Sequence, residues 1–118
     1  MDSKLNSLPV FNSNELLRVF DGDEMIMKEL IQLFIDTFPE HYYKIKDAIQ
    51  HGDPAQLASA AHTLKGSAAN IRAETCRMAA YELEMMGKNQ QTNSGQEALG
   101  RLDSEFAKFK QLVQEQYL

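Results

Sequence analysis

The chain has 118 residues, room for one domain, with 43% hydrophobic residues to build a core and 25% charged residues to face water. Its formal net charge of -5 and sequence pI near 5.1 argue against a partner gripped by clustered Lys and Arg, whether nucleic acid or an anionic membrane surface. The single cysteine, Cys76, excludes an internal disulfide, and no apolar run approaches the roughly 20 residues that span a bilayer. The opening segment MDSKLNSLPV lacks the apolar centre of a signal peptide, so a cytoplasmic setting is expected.

Residues 1–10 are polar, contain Pro9 and show no helical period; they read as a flexible arm ahead of a single domain spanning 11–118. Ser13 or Asn14 offers an N-cap for a short helix, NELLRVF, ending before Asp21-Gly22. Asp23 caps a strongly apolar helix that reaches Phe38, and Pro39 predicts a kink or break before the chain resumes through EHYYKIKDAIQ. Gly52 reads as a left-handed stop, after which Asp53 and Pro54 mark the clearest helix start in the chain. That helix carries AQLASAAHTLKGSAANI; another follows from about Ala73 to Met86, with Gly87 as its stop. GKNQQTNSG is a loop, and Asn93 or Ser94 caps a last helix whose Leu99, Leu102, Phe106, Phe109 and Val113 are spaced as a bundle seam. No alternating β-branched runs occur. The expected class is all-α: an antiparallel four-helix bundle with a short additional N-terminal helix.

Turning about 100° per residue from His62 places Leu57, Leu64 and Ile71 at about 220°, 200° and 180°. The apolar stripe therefore lies opposite His62, which faces water. Within about 60° of it stand Ala58, Ser59, Lys65, Gly66 and Ala69, a face stripped of bulk apart from one cation. A glycine at position 66 costs roughly 1 kcal/mol of helix propensity against alanine, and the bundle interior does not require it. An exposed imidazole with an ordinary pKa near 6.5 is mostly neutral at pH 7 and keeps a free lone pair for attack on phosphorus. Lys65, three residues on, can offset charge on phosphoryl oxygens, and Gly66 lets a partner backbone approach. The chain has no glycine-rich phosphate loop, so it is not a self-sufficient kinase; it suits a station between donor and acceptor.

The segment AAHTLKGSAANIRA, residues 60–73, resembles the signature of histidine-containing phosphotransfer (HPt) domains of bacterial multistep phosphorelays. The likeness extends to FNSNELLRVFDGDEMIMKELIQLFIDTFPE and to the Gly52-Asp53-Pro54 turn. It implies that His62 is the phosphoacceptor, Lys65 the phosphate-stabilising residue and Gly66 the access residue. It also implies receiver domains as partners, their aspartates serving as donor and next acceptor. The domain would need no cofactor of its own, since Mg²⁺ would sit on the receiver. Ser67 and Asn70 match family positions, while Arg72 stands where a glycine is common. A monomer is expected. The loose polar lead-in is of the kind that links domains in a hybrid sensor kinase, which would make this a cytoplasmic part of a membrane sensor.

Met27 and Ile31, on the over-apolar helix after Asp23, are candidates for docking a receiver, together with Ala58, Ser59 and Ala69; the plainer reading makes Met27 and Ile31 core. His41 and His51 show no metal-ligand spacing, and Cys76 reads as a small core residue. Two other functions compete. One is the histidine domain of a chemotaxis-type kinase, which resembles H-S-x-K-G with a glutamate on an adjoining helix; Thr63 and Asn70-Ile71 fit it less well. The other is an adaptor bundle without chemistry.

Overall fold

A computed structural model describes residues 8–118; residues 1–7, most of the expected arm, lie outside them. Five helices follow in order: α1 (Ser13–Val19), α2 (Glu24–Gln50), α3 (Pro54–Asn70), α4 (Glu74–Lys88) and α5 (Gly95–Gln116). Short connections make α2 to α5 antiparallel neighbours: α3 packs between α2 and α4, and α5 closes the bundle against α4 and α2. Short α1 lies across α2, and among the described residues there is no strand.

The local signals act largely as their chemistry requires. The Asp23 carboxylate accepts from the backbone N–H groups of Met25 and Ile26, and that of Asp53 from Gln56, with Pro54 opening α3. Gly52 adopts φ +60°, the left-handed turn that separates α2 from α3. The cap of α1 is Asn12, one residue ahead of the expected pair; its side chain accepts from Glu15 N–H at 3.3 Å.

Pro39 does not break its helix. α2 runs unbroken through it for 27 residues. Phe34, Ile35 and Phe38 on one side and Ile45, Ala48 and Ile49 on the other all face the core, and their burial holds the two halves together. The proline ring sits on the exposed side, where water can satisfy the carbonyl it leaves without a donor.

Gly87 does not stop α4. The helix continues to Lys88, and Gly87 is buried against α3, where an added Cβ would lie 2.5 Å from the backbone nitrogen of Ala58 and 2.7 Å from the carbonyl oxygen of Pro54. The glycine is there for close approach, not for termination.

Arg72 occupies the turn between α3 and α4 at φ +61°, a conformation glycine would adopt freely. Its side chain compensates. Nε pairs with Glu15 at 2.6 Å and Nη1 donates to the Ala69 carbonyl at 2.9 Å, while its own carbonyl accepts from Asn12 at 3.0 Å. The departure from glycine thus ties α1 to the end of α3.

Leu57, Leu64, Leu83, Leu102, Phe109 and Val113 are fully buried in one continuous core, with Val10 and Phe106 packed against it. Phe11 meets Phe109 and Tyr117 edge-on, and Phe38 stacks on Phe106 at 3.6 Å. Cys76 is core, as expected: burial, with the Glu105 charge adding to it, pushes its thiol up to about 12, so it is unreactive. No described helix is long and apolar enough to cross a membrane.

Candidate functional site

Leu57, Leu64 and Ile71 are buried, and the opposite side of α3 carries His62 outward with 68% of its side chain exposed. Ser59 and Gly66 are exposed beside it, Ala58 and Ala69 half-buried. A Cβ at Gly66 would meet nothing within 4 Å, so this glycine, unlike Gly87, is not demanded by the chain's own packing. Met27 and Ile31 are fully buried and cannot touch a partner. The helical period turns them inward. The large hydrophobic side chains that α2 does expose are Met25, Ile26 and Leu33, and further along it Tyr43.

The residue that sequence reasoning missed is Glu84. It lies on α4, 22 positions from His62, with only 2% of its side chain exposed. His62 Nδ1 stands 2.8 Å from its Oε2, Lys65 Nζ 2.7 Å from its Oε1, and Lys88 Nζ 3.3 Å from Oε2. The Lys65 ammonium also lies 5.3 Å over the Tyr81 ring. A charged residue among the buried Cys76, Ala80, Leu83 and Gly87 was the available signal. It needed the register of α4 against α3 to acquire meaning.

Burial, the largest single influence on Glu84, pushes its carboxyl upward, but Lys65, His62 and Lys88, in that order, pull it down further, to about 2. Glu84 is therefore a carboxylate at neutral pH and can only accept. The proton of the contact must sit on His62 Nδ1, so the neutral ring carries its lone pair on Nε2. Because the native carboxyl holds its proton far less tightly than an ordinary one at 4.5, its stabilisation is complete above about pH 4.5 and lost as pH falls towards 2. We expect that component to be about 3 kcal/mol. Urea midpoints measured from pH 5 to 2 should fall in the wild type and less steeply in Glu84→Gln; parallel curves would disprove it.

An outward imidazole on a helix packed within a four-helix bundle, its Nδ1 held on a buried carboxylate, is the arrangement expected of a phosphotransfer domain. The family model of the Hpt domain matches residues 29–113, and the chain belongs to that family, the histidine carriers of two-component phosphorelays, which exchange phosphoryl groups with receiver domains. The fold is similar to that of histidine-containing phosphotransfer protein B (HptB) from Pseudomonas aeruginosa PAO1, with TM-score 0.84 and 22% identity, covering 94% of this chain and 96% of that one. It is also similar to the HPT domain of a sensor hybrid histidine kinase from Shewanella, with TM-score 0.71 and 22% identity over 92% of this chain and 97% of that one. No curated protein matches the chain significantly.

Proposed function

We propose that His62 is the phosphoryl carrier, accepting the group at Nε2 from a receiver aspartyl phosphate and passing it to another receiver aspartate. One observation carries this reading: an exposed ring whose Nδ1–H is fixed on a buried carboxylate, so that only Nε2 can attack. In the step, the Nε2 lone pair forms the P–N bond while the bond from phosphorus to the aspartyl oxygen breaks, its electron pair leaving with the aspartate carboxylate. The Nδ1 proton stays in place, and the positive charge that develops on the ring is met by Glu84. Lys65, one turn along α3, offsets charge on the phosphoryl oxygens, and Gly66 admits the receiver backbone. Mg²⁺ belongs to the receiver, and the domain works as a cytoplasmic monomer.

Incubation with a phosphorylated receiver tests this. We expect acid-labile label on Nε2 of His62, identified by ³¹P and ¹⁵N NMR; label on another residue, or none from any receiver, overturns it. The chemotaxis-type reading gains one point from Glu84, the glutamate on an adjoining helix that it anticipates. Phosphorylation by an isolated ATP-binding kinase domain in trans, faster than by any receiver, would favour that reading instead.

The docking surface is better drawn through the exposed Ile26 and Leu33 than through Met27 and Ile31. Leu30 and Leu33 line a groove with Ser67, Asn70 and Ile71 on the flank of α3. Leu33→Asp should raise the half-saturating receiver concentration about tenfold, the effect of roughly 1.4 kcal/mol of binding, without unfolding the bundle. Ile31→Ala should instead cost about 2–5 kcal/mol of stability. Unchanged receiver binding by Leu33→Asp would exclude this face.

A further inference from the structure

We propose that Lys88 is a positioning residue for the transfer step: it takes over the Glu84 carboxylate as Lys65 swings from Glu84 to the phosphoryl group on His62. The inference rests on His62 being the acceptor, and it concerns a residue on α4 that no sequence motif marks.

The geometry sets up a shared carboxylate. Glu84 is buried, and two ammonium groups reach it from different helices, Lys65 from α3 at 2.7 Å and Lys88 from one turn further along α4 at 3.3 Å. The incoming phosphoryl group brings close to two negative charges to the solvent side of His62. Lys65, three residues from His62 on the same face, is the cation that can follow it. Its hold on Glu84 is an ion pair at 2.7 Å to an ammonium whose side chain is partly exposed and so has solvent to move into. Yet a buried carboxylate stripped of its cation is unfavourable, and that would keep Lys65 where it is.

Lys88 removes the obstacle. It is 58% exposed, with room to rearrange, and stands four residues after Glu84, the favourable order for such a pair on a helix. It already contacts Oε2, the oxygen that accepts from His62, and can close on Glu84 as Lys65 leaves. Bonds balance as in the step above: P–N forms, P–O to the aspartate breaks, and no proton changes site. Only the partner of each lysine changes.

The test is the transfer rate from the receiver that labels the wild type fastest, measured against receiver concentration. Lys88→Ala should lower the rate at saturating receiver about three- to tenfold with an unchanged half-saturating concentration, and Lys88→Arg should restore it. In a Glu84→Gln background, where no carboxylate holds Lys65, adding Lys88→Ala should change the rate by less than twofold. A Lys88→Ala protein that transfers at the wild-type rate overturns the proposal. So does an effect confined to half-saturation, which would mark a docking charge, or an equal effect in the Glu84→Gln background, which would mark a structural one. If no receiver labels the wild type, the acceptor reading itself fails and this inference falls with it; a labelled wild type with an indifferent Lys88 leaves that reading standing.

Discussion

A His62→Gln protein will take no label from a phosphorylated receiver and will unfold at nearly the same urea concentration as the wild type. Loss of labelling is total because no other described nitrogen combines an exposed ring position with a proton fixed on its far side by a buried carboxylate. Retention of the fold follows from exposure and from the chemistry of glutamine. The imidazole buries little surface, so its removal opens no cavity. The substituted amide carries N–H groups that can reach Glu84, while Lys65 and Lys88 still neutralise that carboxylate. The expected change is within about 0.5 kcal/mol, as for other surface substitutions. Label surviving in this variant would remove His62 from the mechanism. A large loss of stability would mean that the ring serves the fold as well.

The second large effect lies at Gly87, where alanine should destabilise although alanine is the better helix former by about 1 kcal/mol. Its methyl group would sit 2.5, 2.7 and 2.8 Å from the Ala58 nitrogen, the Pro54 oxygen and the Ala58 Cα, all backbone atoms that cannot rotate aside. Overpacking of this kind costs about 1–3 kcal/mol or more, so the clash outweighs the propensity gain, and Gly87→Val should be worse still. Gly66→Ala provides the opposite sign. With nothing within 4 Å of the new methyl group, the variant should be about 1 kcal/mol more stable than wild type while accepting phosphoryl more slowly. Urea midpoints compared at constant m separate the two glycines; equal responses would refute the packing role of Gly87. Function is coupled to the same contact. Gly87 follows Glu84 by three residues and Ala58 precedes His62 by four, so pushing α4 off α3 moves the carboxylate away from the imidazole.

The amino-acid order alone determined the helical class, the helix start at Asp53-Pro54, the turn at Gly52 and the outward face of His62. Each of these depends on neighbours within one or two turns: a capping carboxylate, a residue free to take positive φ, a period of 3.6. The same local rules allowed a break at Pro39 that does not occur and misjudged Gly87, because the missing amide of one and the small size of the other act through what packs beside them. In α2, core contacts on both sides of Pro39 outweighed one lost hydrogen bond; in α4, the backbone of α3 required a glycine inside the helix. Met27 and Ile31 read more plainly as core than as docking residues, and the neighbouring helices that cover them decide for core. Glu84 depended most on tertiary structure. A glutamate on an amphipathic helix is ordinarily a solvated charge, and only the register of α3 against α4 buries this one beneath His62 and brings Lys65 to it. Separation along the chain hides such a contact, since His62 and Lys65 reach the carboxylate from a different helix and only Lys88 is its neighbour in sequence.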